Sequence, residues 1–179
     1  TGASGNDNLA GGDGDDEIVI AANFTTNDTI SGGAGTDTLT FTTVATAHAM
    51  AITDVEIVNI TRAGAHTVNL AGMTGVTRVE NIADNSDGAL TINGIASGAT
   101  LRVSDTDTLT VDTTASADLT VDLRLANGQA FTIGDAGTVT MNAGGSATGS
   151  TASLVLDATD TTSLTVDASG ANAISTGNI

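Results

Sequence analysis

Two stretches of this chain, Gly11-Gly12-Asp13-Gly14-Asp15-Asp16-Glu17-Ile18-Val19 and Gly32-Gly33-Ala34-Gly35-Thr36-Asp37-Thr38-Leu39-Thr40, fit one nonapeptide, G-G-x-G-x-D-x-U-x, with U a large aliphatic. The pattern is that of a calcium-binding turn, and it commits the chain to a coil of short strands. Glycines let the backbone curve tightly and present carbonyl oxygens, the Asp supplies a hard anionic ligand, and the aliphatic two positions later opens an inward-facing strand. Five specified positions coincide twice, which 22 Gly among 179 residues do not explain by composition.

Two degenerate copies keep the phase. Gly2-Ala3-Ser4-Gly5-Asn6-Asp7-Asn8-Leu9-Ala10 retains two glycines, the Asp and the aliphatic, and Asn27-Asp28-Thr29-Ile30-Ser31 retains the Asp-x-aliphatic half. The aspartates fall at Asp7, Asp16, Asp28 and Asp37, in steps of nine, twelve and nine. A three-residue insertion around Ala21 to Thr26 therefore bulges from one turn without shifting the next. The plain alternative is a Gly/Asp-rich loop of Asx-turns that holds no metal.

With these residues the chain resembles the repeats-in-toxin (RTX) family of secreted proteins, whose tandem nonapeptides wind a parallel β-roll around calcium ions. The resemblance covers residues 2 to 40, less than a quarter of the chain. It implies Ca2+ ligands from like-sided turns: Asp16 and Asp37 on one edge with carbonyls of Gly12, Gly14, Gly33 and Gly35, and Asp7 and Asp28 on the other. One well-formed site and a poorer second one are expected. Asp13 and Asp15, in the variable positions, are expected to face solvent.

Composition bounds the rest. Forty per cent of the residues are hydrophobic, enough for a core, but only 2% are aromatic, with no Trp or Tyr. Small aliphatics of this kind fill the thin interior of a β-helix rather than the thick centre of a globule. Four Arg and no Lys face 21 acidic residues, a formal net charge of -17. Phosphate binding needs a basic patch, so nucleic acid is a poor partner. Repulsion among the carboxylates is relieved by divalent cations, which couples metal binding to folding. Cysteine is absent, so no disulfide staples the chain. No apolar run has membrane-spanning length and no signal peptide is present, so membrane insertion is not expected. Because it starts at Thr1 inside a repeat, the chain reads as part of a longer one.

From residue 39 onward short aliphatic-polar-aliphatic triplets recur about every ten residues: Leu39-Thr40-Phe41, Val58-Asn59-Ile60, Leu90-Thr91-Ile92, Leu101-Arg102-Val103, Leu109-Thr110-Val111, Leu119-Thr120-Val121 and others through Leu164-Thr165-Val166. No segment carries a useful 3.6-residue apolar period. Short even strands allow an antiparallel sandwich or a solenoid. Three features favour the solenoid: strand brevity, the scarcity of two-residue hairpin signals, and the coil already begun by the nonapeptides. Zero Pro agrees, since a parallel ladder uses nearly every amide. The expected fold is thus all-β, a parallel β-roll or β-helix with two strands and about 20 residues per rung. Residues 1–41 form RTX-like calcium turns and residues 42–179 a solenoid body.

Further aspartates follow strands at Asp112, Asp122, Asp157 and Asp167, and Asp105 and Asp107 share one strand face. Stacking would bring such residues into register as cation positions, although backbone-bonded turn aspartates are the commoner outcome. Arg62, Arg78, Arg102 and Arg124 are spaced to form a ladder with Glu56, Glu80 or turn aspartates, or a lateral contact with an acidic neighbour. Catalysis is not expected. His48 and His66 sit in Ala-rich surroundings without a nucleophile motif, and no zinc motif or glycosidase-like pair stands out.

RTX turns, a Thr/Ala/Asp/Gly-rich β body, no Cys or Lys and the phrase Asp54-Val55-Glu56-Ile57-Val58-Asn59-Ile60 are together similar to Gram-negative surface-layer (S-layer) proteins exported by type I secretion. That resemblance implies a structural, calcium-dependent, self-assembling coat on the bacterial cell surface, held to surface polysaccharide through regions this chain lacks. A spacer in a secreted RTX adhesin and the calcium β-roll tail of a secreted protease or lipase are the alternatives.

Overall fold

The structure, a computed structural model of the 179-residue chain, describes residues 6–20, 27–43, 51–62, 64–82, 88–104, 108–124, 129–142, 151–156, 161–167 and 173–176. Of residues 62, 129–131, 151–154, 156 and 173–176 it describes the backbone only. The described residues carry fifteen strands and no helix: β1 (Asn8–Asp13), β2 (Glu17–Ile20), β3 (Thr29–Ala34), β4 (Thr38–Thr43), β5 (Ala51–Thr53), β6 (Ile57–Arg62), β7 (His66–Asn69), β8 (Arg78–Asn81), β9 (Leu90–Ile95), β10 (Thr100–Val103), β11 (Leu109–Leu123), β12 (Gln129–Asn142), β13 (Thr151–Leu156), β14 (Ser163–Asp167) and β15 (Ala173–Thr176).

Every strand pairing is parallel and joins a strand to its equivalent one turn along, which makes the fold a β-solenoid. Glu17 faces Thr38, twenty-one residues on, and Thr38 faces Ile57, nineteen on. The widest step, Thr138 to Ser163, is twenty-five. A turn of about twenty residues with two strands is therefore the repeating unit, and the nonapeptide phase of nine plus twelve is one such turn. The register passes residue 41 without a break, since Thr42 faces Thr61.

Because side chains alternate across a strand, an in-register stack carries one inward residue type through many turns. One buried column runs Ile18, Leu39, Val58, Val79, Leu101, Val121 and Met141, and a second runs Ile20, Phe41, Ile60, Asn81, Val103 and Leu123. On the facing wall Val68, Ile92, Val111 and Ile133 stack in the same way. Each aliphatic so buried contributes about 1.5–3 kcal/mol. A core one side chain deep from each wall suits Val, Leu and Ile, which accounts for the near-absence of aromatics.

The corners between the two walls need unusual backbone. Gly14, Gly35 and Gly75 have φ of 109°, 143° and 89°, and the non-glycine residues Asp54, Ser116 and Asp135 take φ of 54°, 57° and 57° at equivalent corners. Strands β11 and β12 run round this corner as continuous strands that bend, with shifted register between Asp112 and Ala117.

Candidate calcium-binding turns

The turn of residues 11–16 lies under the turn of residues 32–37. Gly11 and Gly32 have no room for a side chain. A Cβ on Gly11 would meet the Gly32 carbonyl oxygen and, at 2.7 Å, Asp16 Oδ2; a Cβ on Gly32 would meet the Asp54 carbonyl oxygen and, at 2.6 Å, Asp37 Oδ2. The glycine pair thus opens a space between turns into which a carbonyl and a carboxylate oxygen converge. Carbonyl oxygens of Gly12 and Gly14 occupy the places where side chains on Gly33 and Gly35 of the next turn would begin. Those four glycines all have φ between 109° and 143°, where a side chain is strained.

Amide hydrogen bonds aim the carboxylates. The Asp16 amide donates to Asp37 Oδ1 at 2.8 Å, and the Asp37 amide donates to Glu56 Oε2 at 2.8 Å. On the opposite edge the Asp7 amide donates to Asp28 Oδ1, again at 2.8 Å. The structure therefore brings together Asp16 with Asp37 and Asp7 with Asp28. Gly2 and Gly5 of the first degenerate copy lie outside the described residues. Asp13 and Asp15 are exposed, and Asp15 Oδ1 accepts the Thr36 amide at 2.8 Å.

Three of these carboxylates, those of Asp7, Asp16 and Asp37, have one oxygen without a hydrogen-bond partner. Oδ2 of Asp7, Asp16 and Asp37 is buried and accepts no hydrogen bond, and Asp37 as a whole is 0% exposed. Burying a carboxylate oxygen without a partner is costly, and a bound cation offsets that cost. The donor set is all oxygen, the hard chemistry that Ca2+ takes. The residues present thus fit calcium: Asp16 Oδ2, the Gly32 carbonyl and the Asp37 carboxylate on one edge, Asp7 and Asp28 on the other. Among the described residues no three His, Cys, Asp or Glu side chains cluster as a metal group, so backbone carbonyls must supply much of the shell.

Glu56 is the member of this edge that the motif did not reveal. Its turn lacks the glycine pair, yet an acid two residues before the inward Val58 repeats the Asp-x-aliphatic phase of Asp37 and Leu39.

The later aspartates are arranged differently from a stack of carboxylates. Ten residues is half a turn, so Asp112 and Asp122 lie on opposite walls. Asp112 has Asn93 and Gly134 as its register neighbours, and Asp122 has Arg102 and Asn142. Neither faces another of the set. Asp105, Asp107, Asp157 and His48 lie outside the described residues.

Three arginines share one outer face. Arg102 Nη1 lies 3.3 Å from Glu80 Oε2 and its Nε 3.4 Å from Asp122 Oδ2, while Arg124 Nη2 reaches Asp122 Oδ2 at 2.7 Å. Arg78 Nε stands 4.0 Å from Glu80. The ladder is thus Glu80–Arg102–Asp122 in consecutive turns, with Arg78 and Arg124 at its flanks. Glu56 belongs to the corner instead, and the Arg62 side chain is outside the described set. His66 stands in register with Leu90 and Leu109, its Nδ1 buried.

Comparison of the chain with protein-family models, with curated proteins and with solved structures finds no match. No helix among the described residues is long and apolar enough to cross a membrane.

Proposed function

We propose that this chain is a structural, self-assembling component of an extracellular bacterial surface layer, with folding and assembly dependent on calcium. The observation that carries the reading is the stack of Asp16 on Asp37, each with a buried carboxylate oxygen that accepts no hydrogen bond, beside backbone carbonyls in the gap between turns. A chain of net charge -17 repels itself when coiled, and its turn carboxylates are the groups that most need neutralising. Bound calcium would supply that positive charge and cross-link successive turns. Sites of the extracellular class hold Ca2+ with dissociation constants of about 10⁻⁴ to 10⁻³ M, so the turns stay open at low intracellular calcium and close outside.

The same geometry supports assembly. In-register walls present outer columns of one residue type, such as Thr100–Thr120–Thr140–Thr165 on one side and Thr67–Thr91–Thr110–Thr132 on the other. Such surfaces suit side-by-side packing of copies. The proposed role is non-enzymatic.

Negative-stain electron microscopy of the purified chain, in millimolar calcium and in chelator, tests this. Sheets or filaments that dissolve in chelator are the expected result. Dispersed monomers in both conditions would instead favour a spacer or an enzyme's tail.

A further inference from the structure

We infer that the calcium edge extends one turn beyond the nonapeptides, with a second cation position between the turn of residues 32–37 and the turn of residues 54–56, held by Asp37, the Asp54 carbonyl and Glu56. The inference rests on the calcium reading above. The contacts of the first position recur one for one at the second, made by different residues.

At the first position the Asp16 carboxylate shares the space beside Gly11 with the Gly32 carbonyl, and Asp37 from the next turn caps the Asp16 amide. One turn along, the Asp37 carboxylate shares the space beside Gly32 with the Asp54 carbonyl, and Glu56 caps the Asp37 amide at the same 2.8 Å. Asp54 takes the place of a motif glycine at the corner, with φ of 54°, in the left-handed region that Asp tolerates better than most residues. Glu56 takes the place of the motif aspartate.

Independent of this acidic grouping, Asp37 is 0% exposed and its Oδ2 accepts no hydrogen bond, although it lies in the very space that the Asp54 carbonyl enters. The two oxygens of Asp37 are divided between the gaps: Oδ1 is turned toward Asp16, and Oδ2 lies beside Gly32. An ion in the second gap satisfies the oxygen that the first gap leaves over. Glu56 brings the second negative charge such an ion needs, and its remaining lone pairs are available once Oε2 has accepted the Asp37 amide.

The series stops at the next turn for a visible reason. Thr77 stands one turn beyond Glu56, and its amide and hydroxyl both donate to the Glu56 carbonyl oxygen, at 2.9 Å and 3.2 Å. A neutral donor there replaces the carboxylate that another position would require.

The test is calorimetric titration of the intact chain with calcium chloride, comparing wild type with Glu56→Gln, Glu56→Asp and Asp16→Asn. Glu56→Gln keeps an oxygen for the Asp37 amide but loses the charge. The expected result is one fewer ion bound, or one site weakened at least about tenfold, which is 1.4 kcal/mol. Glu56→Asp, which restores the motif residue, is expected to keep the site, and Asp16→Asn to lose a different one. Unchanged binding by Glu56→Gln alongside a loss in Asp16→Asn would overturn the inference and leave the calcium reading intact. Absence of binding by the wild type would overturn both. Wild-type crystals grown with terbium give a reading that needs no variant to fold: an anomalous peak beside Gly32 supports the second position, and a peak beside Gly11 alone excludes it.

Discussion

The amide of Asp16 is capped by Oδ1 of Asp37, the equivalent residue twenty-one positions later, at 2.8 Å, while Oδ2 of both residues stays buried and without a hydrogen-bond partner. One carboxylate oxygen of Asp37 thus ties consecutive turns together, and the other is the atom on which the proposed cation would act.

Replacing that charge should invert with calcium. Asp37→Asn retains an acceptor for the Asp16 amide and removes a buried carboxylate, so in chelator it is expected to be at least as stable as wild type. In calcium at ten times the dissociation constant the wild type gains about 1.4 kcal/mol per site, and the order reverses. Urea unfolding followed by circular dichroism in the two conditions measures both arms, and parallel curves would exclude a cation at Asp37.

Two glycine substitutions separate space from conformation. Gly12→Ala meets no atom within 4 Å and suffers only from its φ of 115°, a cost of about 1–3 kcal/mol. Gly32→Ala drives its Cβ into the Asp54 carbonyl, a backbone atom that cannot turn aside, and fills the space proposed for the cation. The expected outcome is a folded Gly12→Ala and a Gly32→Ala that neither folds nor binds calcium, read by thermal melting and titration.

At the corner, Ser116 holds φ of 57° without being glycine. Left-handed backbone costs a non-glycine residue about 1–2 kcal/mol, part of which glycine returns through its freer unfolded chain. Ser116→Gly is therefore expected to raise stability by about 0.5–1 kcal/mol, and Asp135→Gly, one turn on, by somewhat less because Asp tolerates the conformation. Urea midpoints check this, and a fall in either would show that the side chain matters more than the backbone.

Asn81 interrupts an apolar column between Ile60 and Val103, fully buried, with neither Nδ2 nor Oδ1 hydrogen-bonded. Asn81→Val removes two unpartnered polar atoms from the core and is expected to stabilise by about 1–3 kcal/mol. A lower melting temperature for this variant would mean that Asn81 has a partner in solution.

Arg102 lies between the carboxylates of Glu80 and Asp122. Arg102→Met keeps the stem but leaves both acids without that cation, and the expected loss is about 1 kcal/mol, since part-exposed pairs contribute little. The loss should shrink in high salt, and a salt-independent loss would point to packing instead.

The strand phase was legible because aliphatic alternation and a turn near twenty residues express one geometry: Ile18, Leu39 and Val58 had to face inward for any solenoid to bury them. The pairs Asp16–Asp37 and Asp7–Asp28 were legible for the same reason, since nine plus twelve returns each aspartate to its own edge. Glu56 was not, because it keeps the phase of the motif without its glycines, and only the Asp37 amide reveals what it replaces. The relation of Asp112 to Asp122 was misleading in sequence, where ten residues looks like a repeat but is half a turn.

The sequence by itself determined the class of fold and the inward direction of the strand aliphatics, because period-two alternation, glycine-bearing turns and a shortage of aromatics leave few other ways to bury this chain. Beyond the nonapeptides, tertiary structure alone decided which polar groups meet across turns, because the step from one turn to the next varies from eighteen to twenty-five residues with the length of the corners. Neighbours such as Arg102 and Asp122, or Asp37 and Glu56, exist only once that step is known.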